Sequence, residues 1–236
     1  MVIDFHIVWE SFISGIHYIP QTLLLVFAPY AISFIFGLLI ALARFLHIPV
    51  LSPILTAVVT VLKGVPVYLL IVISNLLLTL GFDSFAESVG WSLRVGDINI
   101  LAFAVIVLSI GFTPYLSEAL RGALNSVPKG QYEAGYAIGL TKSQIIRRVV
   151  IPQMIPTAMP QMTSLIIALM KASALTYTIG VMDILNASIK PAIQGYDLLE
   201  AYIAAGVIYW ALGVILERGM HLAEARLKKF RAPIAS

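Results

Sequence analysis

Five long apolar runs, separated by short polar segments, dominate the chain. A helix needs about 20 mainly apolar residues to cross the hydrocarbon core of a bilayer. The runs that approach or exceed this length cover residues 19–45, 51–80, 98–116, 154–170 and 198–216. The pattern therefore predicts an all-α membrane protein with five transmembrane helices.

The second run is longer than a membrane requires. About 30 helical residues extend roughly 45 Å, whereas the hydrocarbon core is about 30 Å thick. A break or a steep tilt is therefore expected. The segment Lys63-Gly64-Val65-Pro66 supplies the break, because proline lacks a backbone donor and disfavours helical geometry in the residue before it. Lys63 then either lines a cavity at the break or extends its ammonium group towards the membrane interface.

Residues 1–18 contain Asp4 and Glu10 among apolar residues, a pattern typical of an interfacial helix. The first basic residue is Arg44, so the N-terminus lacks the positive region of a cleavable signal peptide. We expect one transmembrane domain over residues 1–236, with a five-helix core at 19–220 and a cytoplasmic tail at 221–236.

Composition and charge agree with a membrane location. Hydrophobic residues make up 60% of the 236 residues and charged residues 11%, and the mean hydropathy is +0.96. Most of the 15 Lys and Arg residues lie on one side of the five runs, which predicts an outside N-terminus and a cytoplasmic C-terminus. This orientation explains the net charge of +3 without nucleic-acid binding, and the absence of cysteine excludes disulfides and thiolate metal sites.

The longest cytoplasmic connection, residues 117–152, carries a pattern of its own. Gly135 and Gly139 are four residues apart, so a helix here has a small-residue face on which another protein could pack. Thr141 and Gln144 form a capping box that starts a second helix at about Lys142, and Pro152 is expected to end that helix. The loop either docks a partner or forms a hairpin that seals the mouth of the bundle.

Part of this loop resembles a known motif. Glu133-Ala134-Gly135, then Gly139, then Val149-Val150-Ile151-Pro152 are similar to the EAA loop of the permease subunits of ATP-binding-cassette (ABC) importers. The surrounding residues are similar to the polar amino acid branch of these permeases. They are Thr22-Leu23, Gly64, Pro66, Tyr115, Glu118, Arg121-Gly122, Ser126-Val127-Pro128, Gly130-Gln131, Gly139-Leu140-Thr141, Pro152-Gln153, Lys171 and Gly180-Val181.

The resemblance implies a type I importer fold and a transport role in a bacterial inner membrane. Two permease subunits, identical or different, would enclose the path, and two cytoplasmic ATPase subunits would bind ATP and Mg²⁺. An extracellular or periplasmic binding protein would deliver the amino acid. This chain has no G-x-x-x-x-G-K-[ST] phosphate loop, so it is expected to be no enzyme and to contain no cofactor, metal ion or catalytic residue.

The resemblance also assigns residues that couple the permease to the ATPase. These are Gln131, Glu133, Ala134, Gly135, Gly139 and Pro152. Our hypothesis is that Glu133 caps or orients the docking helix, whereas Gly135 and Gly139 permit close approach of the ATPase.

A zwitterionic substrate needs cationic or donor groups for its carboxylate, and ionisable residues at membrane depth are functional candidates. The substrate-path candidates are Lys63, Tyr115, Glu118 and Lys171. Glu118 also has a structural interpretation, because Arg121 lies three residues later on the same helix face. Polar, basic and sulfur-containing amino acids such as cystine all remain candidate substrates.

One segment departs from the family pattern. Lys171-Ala172-Ser173-Ala174-Leu175 replaces a sequence closer to Lys-Asp-Thr-Ser-Leu, so a carboxylate is missing near the outer end of the fourth run. The alternative function is a transporter driven by an ion gradient. That class predicts inverted repeats and paired carboxylates within its spans, and neither is visible in the sequence.

Overall fold

The computed structural model describes residues 3–228, and ten α-helices lie within this range. They are α1 (Phe5–His17), α2 (Ile19–Phe45), α3 (Leu51–Gly64), α4 (Val67–Ser88), α5 (Ile100–Asn125), α6 (Lys129–Ala137), α7 (Lys142–Ile145), α8 (Ile151–Ser173), α9 (Ile184–Ile189) and α10 (Leu198–Lys228). A π-helical turn, Ile146–Val150, joins α7 to α8, and short 3₁₀ segments cover Val95–Asp97, Ala174–Ile179 and Lys190–Ala192. The all-α expectation is confirmed for the described residues.

Five helical segments within residues 3–228 are long and apolar enough to cross a membrane. They are Ile19–Phe45, Val67–Ser88, Ile100–Asn125, Lys142–Ile179 and Leu198–Arg226. The predicted number of spans is therefore confirmed, and the first span has the predicted bounds. The predicted tail begins inside α10, and its residues 229–236 lie outside the described residues.

The second predicted span is two helices, which confirms the predicted break. Val65 is extended, with φ −90° and ψ 123°, and Pro66 follows it with φ −56° and ψ 134°. The predicted bounds were wrong, however, because the 14 residues of α3 are too few to cross the hydrocarbon core. The spanning helix α4 instead continues to Ser88.

Helices α2 and α5 pack closely at the centre of the bundle. Gly37 makes this approach possible, since a Cβ atom at its position would lie 3.0 Å from the backbone nitrogen of Ser117 and 3.1 Å from the Cβ of Leu116. Ser33 Oγ donates a hydrogen bond to the carbonyl of Ser109 across the same interface, at 2.9 Å. Small residues and interhelical hydrogen bonds are the usual means of holding membrane helices together.

The connection between the third and fourth spans, predicted to be cytoplasmic, is shorter than predicted at both ends. α5 continues to Asn125, because Leu116, Leu120 and Leu124 keep one face of the helix buried beyond the predicted span end. At the other end, Pro152 does not end the helix that starts at Lys142. It occupies the first turn of α8, where a missing backbone donor is tolerated, and the π-turn before it keeps the helical path continuous.

The N-terminal helix α1 has two different faces. Phe5, Trp9 and Ile13 are exposed at a spacing of four residues, which is one helix face. On the opposite face, a Cβ atom at Gly15 would collide with the hydroxyl of Ser188 and lie 2.7 Å from Ile208 Cδ1, so α1 packs tightly on α9 and α10. The interfacial position of α1 stays a prediction.

Candidate functional site

The short helix α6 is packed against its own chain through the glycine predicted to face a partner. Gly135 is buried, and a Cβ atom there would lie 2.7 Å from Ile145 Cγ1 in α7. The hypothesis that this glycine permits close approach of another protein stays a prediction, and the contact that the structure shows is internal. The small size of Gly135 permits α6 to lie directly on α7.

Gly139 also has an internal role. It adopts φ +80°, and no atom within 4 Å would meet an added Cβ. The backbone N–H of Gly139 donates to the carbonyl of Tyr136 at 2.9 Å, and the N–H of Leu140 donates to the carbonyl of Gly135 at 3.0 Å. These two bonds form a Schellman motif, in which glycine is preferred because the left-handed conformation costs it little. Gly139 ends α6 and does not form a docking face with Gly135.

Two further contacts fix α6 to the spanning helices. The ring of Tyr132 lies 6.3 Å from that of Phe45 at the end of α2, and burial, with a smaller contribution from Tyr136, raises the pKa of the Tyr132 hydroxyl. Gln153 Nε2 in α8 donates a hydrogen bond to Gln131 Oε1 at 3.1 Å. Movement of α6 must therefore be transmitted to α2, α7 and α8.

The opposite face of α6 is exposed. Ile138, just after the helix, is 76% exposed and Tyr136 is 52% exposed, and Glu133 and Ala134 lie on the same exposed surface. The N-cap residue is Pro128 and no side chain caps the helix, so Glu133 does not cap α6. That Glu133 orients the helix stays a prediction. We call this surface, formed by Glu133, Ala134, Tyr136, Ala137 and Ile138, the α6 outer face.

An ion-pair cluster joins three helices near the same end of the bundle. Glu118 Oε2 accepts a hydrogen bond from Arg121 Nη2 at 2.9 Å, which confirms the predicted pairing on α5. Its other oxygen, Oε1, accepts from Arg44 Nη1 of α2 at 2.5 Å. Arg44 Nε also donates to Thr56 Oγ1 of α3 at 3.1 Å. Arg44 therefore connects α2, α3 and α5 through one guanidinium group.

Three of the four substrate-path candidates line one cavity of about 340 Å³. Lys63, Tyr115 and Glu118 lie in its wall, and the Lys63 ammonium group is 6.0 Å from the centre of the Tyr115 ring. The remaining lining residues are Ala119, Gly122, Ala123, Thr157 and Gln161. Lys171 does not line this cavity, because it lies at the far end of α8.

Several residues of this region were missed by sequence reasoning. In the sequence Arg44 is notable only as the first basic residue, although its side chain is 8% exposed and both Nε and Nη1 donate hydrogen bonds. Thr157 and Gln161 gave no charge signal, yet they lie one helical turn apart on an exposed face of α8. That i, i+4 spacing of polar residues within an apolar run was the available clue.

Five helical segments long and apolar enough to cross a membrane, a polar cavity and a short helix packed at one end are features of a multi-pass membrane protein. Residues 33–229 match the family described as binding-protein-dependent transport system inner membrane component, and the chain belongs to that family. Its location is accordingly the bacterial inner membrane.

Individual relatives agree with this assignment. The L-cystine transport system permease protein TcyL of Bacillus subtilis (strain 168) is 31% identical over 219 residues, covering 93% of this chain and 89% of that protein. The arginine ABC transporter permease protein ArtQ of Escherichia coli (strain K12) is 33% identical over 187 residues, covering 74% and 78%. A solved structure described as "Crystal structure of an amino acid ABC transporter with histidines" has a TM-score of 0.80 and 26% identity, and the match covers 96% of this chain and 100% of that chain.

Proposed function

We propose that this chain is the membrane-spanning permease subunit of an ABC importer that carries an amino acid into the cell. The observation that carries the proposal is the family match over residues 33–229, and relatives named for cystine and arginine transport support the substrate class. The substrate is a polar, basic or sulfur-containing amino acid.

The energy comes from a separate ATPase, which binds the ATP and Mg²⁺. The sequence contains no G-x-x-x-x-G-K-[ST] phosphate loop, so nucleotide binding by that mechanism requires another subunit. The α6 outer face is the proposed ATPase contact, because Tyr136 and Ile138 expose apolar surface at the basic end of the bundle. Exposed apolar patches of this kind mark interaction sites.

Coupling requires an element with two positions that ATP and the loaded binding protein both influence. We infer that α6 is this element. Its contacts through Gly135, Tyr132 and Gln131 hold it to α7, α2 and α8, so displacement by the ATPase shifts these helices together. Arg44, next to Phe45, extends the connection to Glu118 in the cavity wall.

The complete importer contains two permease subunits, two ATPase subunits and an extracellular or periplasmic binding protein. In the proposed topology the α6 end is cytoplasmic, since the basic residues concentrate there. No observation favours the alternative of a carrier driven by an ion gradient.

The first test is purification of the chain from its native membrane in mild detergent, followed by identification of the associated subunits and their stoichiometry. We expect an ABC ATPase and either one or two permease species. Liposomes containing the purified complex and its binding protein should take up amino acid only with ATP. Uptake by preparations that lack an ATPase would overturn the proposal and favour the gradient-driven carrier.

A variant pair tests the α6 outer face. Ile138→Asp places a charge in the proposed contact and should abolish copurification of the ATPase. Ile193→Asp, which changes another exposed isoleucine at 56% exposure, should retain it. Equal ATPase recovery with both variants would contradict the assigned contact surface.

A further inference from the structure

One face of α8 extends the cavity along the bundle. Thr157, Gln161, Ser164, Ala168 and Lys171 are all exposed, and their spacing of three or four residues places them on a single helix face. Met154, Ala158, Ile166 and Leu169 are buried. Four of the five exposed residues are polar although α8 lies in a membrane-spanning segment, and such residues face protein or water and not lipid. We call this surface the α8 polar face.

The cavity and the α8 polar face together carry a positive charge excess. Glu118 is the only carboxylate among their residues, and its two oxygens accept hydrogen bonds from Arg44 and Arg121. The cluster of Arg44, Arg121 and Glu118 has more positive than negative charge, and Lys63 contributes a further positive charge. Within residues 3–228, neither Lys63 nor Lys171 forms an ion pair with a carboxylate.

The neutral groups of this surface add hydrogen-bond donors. Thr157 and Gln161 present a hydroxyl and an amide to the cavity that Lys63 also lines, whereas the Tyr115 hydroxyl donates its proton to the backbone carbonyl of Lys63 at 3.3 Å. A substrate carboxylate can be recognised by these groups. A cationic side chain, in contrast, meets like charges there, since the carboxylate of Glu118 is already bound by two guanidinium groups.

We propose that this surface selects amino acids of zero or negative net charge and excludes cationic ones such as arginine and lysine. The inference rests on the proposed function and names the substrate class within it. Lys63 and Lys171 are then specificity-determining residues at the two ends of one path. Lys171 lies about 10 helical residues, or roughly 15 Å, from Gln161 in the cavity wall.

The test measures equilibrium binding of radiolabelled L-glutamate, L-glutamine and L-arginine to the permease–ATPase complex in lipid nanodiscs. The binding protein is omitted, so that its own specificity does not enter. In the wild type, we expect glutamate or glutamine to bind at least tenfold more tightly than arginine. Tighter binding of arginine than of both others would overturn the proposal.

Variants assign the preference to the path. Lys63→Glu should weaken glutamate binding about tenfold and strengthen arginine binding, and Lys171→Glu should shift the preference in the same direction. Lys190→Glu is the control, because Lys190 is an exposed lysine that belongs to neither the cavity nor the α8 polar face. Equal changes in Lys63→Glu and Lys190→Glu would show a general charge effect and contradict the proposal.

One further variant and one further measurement separate folding from function. Lys63→Gln removes the charge without introducing repulsion, so it should reduce the preference for glutamate over arginine without reversing it. The melting temperature of each nanodisc sample shows whether the variant is folded. If none of the three amino acids shows saturable binding, the proposal that this surface selects the substrate is wrong. The proposed importer function has separate tests: it fails if no ATPase copurifies with the chain or if uptake does not require one.

Discussion

Gly135 of α6 lies directly against Ile145 of α7, so that a Cβ atom at position 135 would be 2.7 Å from Ile145 Cγ1 and 2.9 Å from Cδ1. Ile145 is fully buried in the cluster that also contains Ala41, Leu120 and Met154. The short helix is therefore continuous with the core between α2, α5 and α8. In the proposed coupling, displacement of α6 by the ATPase therefore moves these helices together with it.

This contact predicts a stability difference between two glycines of one helix. Gly135→Ala should destabilise the protein by about 1–3 kcal/mol, because the added methyl group overpacks the Ile145 contact. Gly130→Ala is the matched control, since nothing lies within 4 Å of its added Cβ. Thermal unfolding in detergent measures the stability of each variant, and substrate-stimulated ATPase activity measures its coupling. Equal values for both variants would show that the α6–α7 contact is loose.

The end of α6 depends on the backbone conformation of Gly139. Gly139→Ala should cost about 1–2 kcal/mol, because φ +80° forces a non-glycine residue into the left-handed region. We expect faster proteolysis between α6 and α7 and weaker coupling of ATP hydrolysis to transport. Gly219→Ala, in open space and without a positive φ, should be neutral. Unchanged proteolysis of Gly139→Ala would contradict the motif.

The ion pair between Arg44 and Glu118 should stabilise the fold more than an exposed pair does. Replacing either partner by glutamine should cost roughly 1–3 kcal/mol, because charged groups with little access to water lose their partner. The exposed pair of Arg94 and Glu87, with side chains 49% and 66% exposed, provides the control and should contribute about 0–1 kcal/mol. Double-mutant cycles of thermal unfolding measure both coupling energies, and a larger value for the exposed pair would contradict this ranking.

Asp183, between α8 and α9, predicts a pH dependence of stability. Its side chain is fully buried, and burial raises its pKa despite hydrogen bonds from the Asn186 backbone and the Tyr209 hydroxyl. A folded-state pKa above the unfolded value of about 3.9 means that the folded protein binds the proton more tightly. The resulting stability is present below the unfolded pKa and is lost as the pH rises through the folded pKa.

Asp183→Asn should remove this dependence. Asparagine remains a good N-cap for α9 and cannot titrate. The measurement is the melting temperature of both proteins as the pH is raised from the ordinary carboxyl pKa. The melting temperature of the wild type should fall more steeply than that of Asp183→Asn, and the difference between them should level off once Asp183 is ionised. Parallel profiles would show that Asp183 titrates at its ordinary value.

Much of the architecture follows from local patterns in the sequence. The first span, Ile19–Phe45, has its predicted bounds, because its apolar run starts beside Pro20 and ends just before the turn that contains His47 and Pro49. The break at Val65 and Pro66 also follows from local chemistry, since proline restricts its neighbour in any context. The capping box of Thr141 and Gln144 forms as predicted, with both of its reciprocal bonds.

Other features depend on contacts between residues far apart in the chain. Gly135 is predicted to face a partner because a small residue indicates close packing. The sequence does not indicate whether the packing element belongs to another protein or to the same chain. Arg44 and Glu118 are 74 residues apart, and only the packing of α2 on α5 brings them together. The continuation of the helix through Pro152 likewise depended on the π-turn before it, which the sequence pattern did not indicate.

The sequence by itself determined the class of protein, the number of spans and the break in the second one, because hydropathy, charge bias and proline act over short distances. It also contained the coupling-loop pattern. Only the tertiary structure decided which face of α6 is free, which helices the Arg44 guanidinium joins, and that Lys63 and Glu118 share a cavity while Lys171 does not. The physical reason is that these relationships arise from helix packing, which brings together side chains whose separation in the sequence carries no local signal.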